Sequence, residues 1–153
     1  MPKLVKGGKY VYGWSRVRDD GTIRIPEEPL KEYGYSEDQK VIVLPGSTRS
    51  GGFAITTVDK LENSPLNAIL KKNPSLAQFK INMGELIRYR VENYCWTQIN
   101  KQSITLPLDT LKVYGISPGD QLLSVRGSHL ALAFLIEGPI YEEAKNHPGL
   151  EVY

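Results

Sequence analysis

The chain has 153 residues, 41% apolar and 24% charged, with 19 Lys and Arg against 17 Asp and Glu, the make-up of a soluble one-domain globular protein. No run approaches the ~18 apolar residues that span a bilayer, and the start MPKLVKGGKY lacks the ~7–15-residue apolar core of a signal peptide, so a cytoplasmic location and no membrane partner are expected. A net charge of +2 is too small to imply nucleic acid by itself, and the single Cys95 rules out an internal disulfide and a Cys-rich zinc site.

From the N-terminus, Tyr10 to Val17 alternates large apolar with small or polar residues, as a half-buried strand does. Asp19-Asp20-Gly21 has turn chemistry, and Thr22 to Ile25 reads as the returning strand, with Ile23 and Ile25 inward and Arg24 outward. Pro26 stops it. Glu27 to Tyr33 reads as a short helix: acids suit its first turn, and Gly34 suits a left-handed cap. Lys40 to Leu44 is a buried strand, Pro45 to Gly52 a polar turn, and Phe53 to Thr56 a final strand. Ser64 and Pro65 then signal the start of a helix carrying Leu66, Ile69 and Leu70 on one face and closed by Asn73-Pro74. Glu85 to Glu92 alternates charged with apolar residues and reads as one strand. The order then recurs: Ser103 to Leu106, a helix at Leu108 to Tyr114, Gly115, and strands at Gln121 to Val125 and Leu130 to Ile136. A short helix at Pro139 to Asn146 ends the pattern.

The recurrence is a repeat. Sliding the chain by 81 positions lays Ile23 on Ile104 and runs without a gap to Ser47 on Ser128, with nine of 25 positions identical, among them Pro26/Pro107, Tyr33/Tyr114, Gly34/Gly115 and Gly46/Gly127. Ordinary residue usage gives about one or two matches. Gly13 to Val17 against Cys95 to Ile99 extends the likeness loosely, as does Asn63-Ser64-Pro65 against Asn146-His147-Pro148. A unit of ~40–50 residues cannot bury enough apolar surface to offset its chain entropy, so the two units must share one core. The expected division is residues 1–57 as the first repeat, 58–84 as a helical connector and 85–153 as the second repeat with its helix, the two repeats forming one pseudo-dimeric domain.

Gly21-Thr-Ile-Arg-Ile-Pro26 and Gly115-Ile-Ser-Pro-Gly-Asp120 resemble the SpoVT/AbrB family, the swapped-hairpin domains that include AbrB and MazE. The resemblance covers most of residues 10–55 and 92–136. It implies a mainly β fold: an AbrB-like swapped-hairpin β-barrel built by two ββαββ repeats in one chain, with short helices capping it. It also implies a non-enzymatic DNA-binding transcriptional regulator that presents basic residues from the first hairpin and the adjoining helix to double-stranded DNA. Mapped onto this chain, those residues are Arg16, Arg18, Arg24 and Lys31, with Lys101 and Lys112 in the second repeat. Thr22, Ser103, Leu30 and Leu111 stand where the family often has basic residues, and Glu27 and Glu28 add negative charge beside that face. Weak or asymmetric DNA binding follows from such a set, because each phosphate contact contributes about one unit of salt-dependence slope. The same departures support a second reading, a barrel that has lost DNA binding and works as a protein-association module or a homodimer.

Other chemistry is weaker. Cys95 with His129 or His147 has no third group to orient a nucleophile and base, and a buried thiol between Tyr94 and Trp96 is the simpler expectation. The two histidines lack metal-ligand spacing, so neither metal nor cofactor is expected. Pro45 to Gly52 lacks the Gly-Lys-Ser/Thr ending of a phosphate loop and precedes a strand instead of a helix, and Gly7-Gly8-Lys9 likewise precedes a strand. Tyr10, Tyr12, Trp14, Tyr89, Tyr94 and Trp96 form two aromatic strips that read as barrel core or interface, with stacking on single-stranded bases beside Arg88 and Arg90 as the alternative.

Overall fold

A computed structural model describes residues 5–6 and 9–153. The Gly7-Gly8 part of the Gly-Gly-Lys run lies outside the described residues. In chain order the elements are β1 (Val5–Lys6), β2 (Lys9–Arg16), β3 (Thr22–Arg24), α1 (Glu27–Tyr33), β4 (Lys40–Pro45), β5 (Phe53–Thr56), α2 (Val58–Glu62), α3 (Ala68–Lys72), α4 (Pro74–Ala77), β6 (Ile87–Tyr89), β7 (Glu92–Gln98), β8 (Ser103–Thr105), α5 (Leu108–Val113), β9 (Gln121–Arg126), β10 (Leu132–Leu135) and α6 (Pro139–Ala144). The fold is mainly β, as expected.

One antiparallel sheet runs in the order β1-β2-β9-β10-β5-β4-β7-β6, and β3 pairs with β8 as a separate two-stranded ribbon. Pairs of strands from the two repeats alternate across it, so that β2 meets β9, β10 meets β5 and β4 meets β7. Residues 81 apart face one another at two places. Ile23 is opposite Ile104 in the ribbon, and Phe53 is opposite Phe134 where β5 meets β10. Equivalent residues can lie directly opposite only where a twofold relation between the repeats passes between them. The flanking registers agree, since Trp14 faces Leu123 just as Trp96 faces Ile42.

The expected closed barrel is corrected. Among the described residues no pairing joins the two ends of the sheet. The ribbon strands are three residues long because Pro26 and Pro107 follow almost at once, and proline cannot donate to a ladder. Short strands leave the ribbon lying over the sheet, tied to it by an isolated bridge at Val17 and Ile23. The outer edge of β2 is covered instead by the C-terminal residues, with Trp14 N–H donating to the Glu151 carbonyl at 2.8 Å and Tyr153 N–H to the Trp14 carbonyl at 2.7 Å. β6 covers the corresponding edge of β7.

Two local expectations also change. Glu85 to Glu92 is not one strand: Arg90 and Val91 both take positive φ, 49° and 62°, and turn β6 back onto β7, the backbone of a two-residue hairpin. In the connector, the first helix starts earlier, at Val58, because the Thr57 hydroxyl accepts the Lys60 N–H at 3.2 Å as an N-cap. Ser64-Pro65 forms a turn in which the Ser64 hydroxyl accepts from Leu66 N–H, leaving Leu66 exposed while Ile69 and Leu70 are buried. The helix carrying Ile69 and Leu70 closes at Asn73 as expected, and Pro74 then opens α4 at its first position.

Three apolar clusters hold the layers together. The largest combines both repeats between sheet, ribbon and α1/α5, with Ile23, Ile25, Val41, Val43, Phe53, Cys95, Ile104, Leu111 and Phe134. On the other side of the sheet, α2 to α4 pack Leu61, Ile69, Leu70 and Leu76 on Ile42 and Trp96, and α6 packs Ala144, Ile140 and Tyr141 on Trp14 and Leu123. Tyr12, Trp14, Tyr94 and Trp96 are buried, so most of the aromatic strips are consumed inside. Trp14 meets Tyr141 edge-on, and Trp96 meets Phe79 and donates its indole N–H to the Ile81 carbonyl.

Candidate nucleic-acid interface

The ribbon sets the site. Its inward residues are Ile23 and Ile104, fully buried, and alternation turns Thr22, Arg24, Ser103 and Thr105 outward. The Thr22 and Thr105 hydroxyls are 3.0 Å apart across the two strands. Gly21 makes the turn before β3: it has φ +84°, and a Cβ there would fall 2.1 Å from the Leu106 carbonyl oxygen. In the second repeat the same turn is made by Lys101 and Gln102, both at positive φ, with the Lys101 N–H held by both Glu37 carboxylate oxygens at 2.8 and 3.0 Å.

Around this surface lies a cleft of about 480 Å³ lined by Arg18, Arg24 and Lys101 together with Thr22, Ser103, Thr105, Gln98 and Asn100. It has three cations, several hydroxyls and two amides, and no carboxylate lines it. The neighbouring acids are engaged with backbone: the Asp20 carboxylate accepts the Thr22 N–H at 2.9 Å, and hydrogen bonds from Thr22, with a smaller contribution from the Arg18 charge, hold its pKa down. Among the described residues no carboxylate lies within ion-pair distance of Arg16, Arg18 or Arg24. Asp19 and Asp20 therefore do not neutralise the hairpin arginines by direct pairing.

The other expected contacts fall outside this cleft. Arg16 ends β2, where its N–H donates to the Tyr153 carbonyl. Lys31 is paired with Glu27 at 3.0 Å along α1, and Lys112 is exposed on α5. Glu28 accepts from the Tyr10 hydroxyl at 2.7 Å. No motif marks Gln98 and Asn100 in the sequence; they reach the cleft from the end of β7 and the β7–β8 turn, where Asn100 bridges Ser103.

The alternative chemistries are not assembled. Cys95 is fully buried, and burial pushes its thiol up to about 12, only partly offset by contact with Tyr114. His129 is on the exposed β9–β10 turn. Ellman's reagent should leave native protein unmodified at neutral pH and titrate one thiol once the chain is unfolded, since the thiolate is the reacting form. Pro45 to Gly52 is the β4–β5 turn, closed by Gly46 N–H on the Gly52 carbonyl. Among the described residues no three His, Cys, Asp or Glu side chains converge to hold a metal, and no helix is long and apolar enough to cross a membrane.

The fold and this cleft define a duplicated β protein with a basic, hydroxyl-rich ribbon. No family model, curated protein or solved structure matches the chain.

Proposed function

We propose that the chain is a non-enzymatic DNA-binding regulator of AbrB-like type, with the two repeats exchanging hairpins in the swapped manner of that family, and that it contacts DNA backbone through Arg18, Arg24 and Lys101. The observation that carries this reading is the convergence of those three cations, from both repeats, on one cleft without a carboxylate. Hydroxyl and amide groups around them suit phosphate oxygens, and a two-stranded ribbon has dimensions that a major groove admits. Arg16, Lys31 and Lys112 are peripheral in this reading.

Three neutralised phosphates give a salt slope of about −2.7, so affinity for duplex DNA should fall roughly 40-fold between about 50 and 200 mM salt. Fluorescence anisotropy with mixed-sequence duplex tests this, and Arg18→Ala with Arg24→Ala and Lys101→Ala should flatten the slope by close to three units. No binding at the lower salt, or a slope untouched by the triple change, refutes the DNA reading.

A protein-association role is the second reading. The observation in its favour is that α5 exposes Leu108 and Val113, at 45% and 52%, where the equivalent positions of α1 are Glu27 and Glu32. Concentration-dependent sedimentation that Val113→Glu abolishes would support it.

A further inference from the structure

A second charged cleft, of about 320 Å³, lies away from the ribbon and is lined by Glu32, Tyr33, Lys60, Arg126, Ser128 and His129. Its one carboxylate is already committed: Glu32 accepts from the Tyr12 hydroxyl and from the Arg126 guanidinium. The Arg126 guanidinium lies over the Tyr10 ring, 4.9 Å from its centroid. Lys60 sits over the Tyr33 and Tyr35 rings at 4.8 and 5.6 Å and donates to the Tyr33 carbonyl at 3.2 Å. Among the described residues no carboxylate lies within ion-pair distance of Lys60. The Ser128 oxygen accepts the Leu130 N–H at 3.1 Å, which leaves its own proton to donate, and His129 is exposed at the rim.

The repeat supplies an internal comparison. At the positions 81 residues away stand Val113 for Glu32, Pro45 for Arg126 and Thr48 for His129. The turns differ as well: Arg126 pairs with Leu132 whereas Pro45 pairs with Phe53, so the β9–β10 hairpin is the shorter by two residues. Only one copy carries the charges.

We infer that this cleft binds a small phosphate dianion, free or as a monoester, between the Lys60 ammonium, the outward N–H groups of Arg126, the Ser128 hydroxyl and the His129 ring. Two cations held by aromatic faces and one spent carboxylate leave a net positive site. A guanidinium fixed by a carboxylate presents its remaining donors in a set direction, the geometry that suits phosphate oxygens. The ligand would bridge α1 and α2 to the β9–β10 turn, joining the two repeats, so binding also raises thermal stability. This inference is independent of the DNA reading.

The test is titration of the full-length protein, at constant ionic strength, with inorganic phosphate and separately with glycerol phosphate, followed by backbone amide NMR shifts and by melting temperature. Saturable shifts centred on residues 32–33, 60 and 126–129, with a Kd of about 1 mM or tighter, are expected. Lys60→Gln, which keeps a donor for the Tyr33 carbonyl, and His129→Ala should each weaken binding several-fold, while the Arg18/Arg24/Lys101→Ala protein should bind phosphate unchanged. Either ranking of the two probes supports the site, and the ranking tells the free ion from the monoester. Shifts that do not saturate, that match those from chloride, or that survive both Lys60→Gln and His129→Ala in proteins with native melting curves overturn it.

Discussion

Separated between the repeats, residues 1–84 and 85–153 should each fail to give a folded monomer, remaining unfolded or self-associating. The reason is the ladder. β2 takes its long pairing from β9, β3 takes its strand partner from β8, and β4 takes one edge from β7. Each half would thus expose those edges together with half of the largest apolar cluster, which draws Ile23, Ile25 and Val43 from one repeat and Ile104, Leu111 and Phe134 from the other. The two smaller clusters are divided as well, Trp96 being taken from Ile42 and Leu123 from Trp14, and a fragment of that size buries too little apolar surface to stand alone. Sedimentation and circular dichroism on each fragment, and on the two mixed, check this. Restored structure on mixing is expected, and a stable folded monomer from either half would contradict the shared core.

The second large effect is at the centre of the twofold relation. Phe53 and Phe134 are fully buried and stacked, with centroids 5.0 Å apart, on strands β5 and β10, the junction between the repeats. Phe53→Ala should cost about 3–5 kcal/mol, the usual loss for a truncated core aromatic. At roughly 2–4 °C per kcal/mol for a chain of this length, the melting temperature drops by about 10 °C. Phe134→Ala should match it, because the environments are related by the repeat. The double variant should cost less than the sum by about 0.5–1.5 kcal/mol, the part that belongs to the ring pair itself. Strictly additive losses would show that the rings do not interact.

Most strands were legible because period-two alternation, Pro26 and Pro107, and Gly34 and Gly115 act locally. Where reading failed, the deciding contact was distant or the local signal was weak. Arg90 and Val91 carry no turn chemistry, and Val91, β-branched and 76% exposed, is a poor residue for positive φ. Its turn is imposed by β6 and β7 packing together onto the α3–α4 layer. The helix at Val58 was missed because its cap, Thr57, directly follows a strand.

The six cations named from the sequence split for the same kind of reason. Arg18, Arg24 and Lys101 share a cleft because β3 lies beside β8, 81 residues away, whereas Lys31 meets Glu27 one helical turn back. Alternation could say that Arg24 points away from the core. Only the cross-repeat pairing could say which other side chains would stand beside it.

By itself, the sequence determined that the chain is duplicated, that each copy has the order ββαββ, and which residues are inward, because periodicity and turn chemistry are properties of neighbouring residues. The tertiary structure alone decided that the sheet stays open, that the C-terminal residues run beside β2 while β6 covers β7, and that cations from both copies converge in one place and not another. Those outcomes depend on which strands pair across distances of 80 residues and more, and the energy of such pairing lies in contacts that no local pattern encodes.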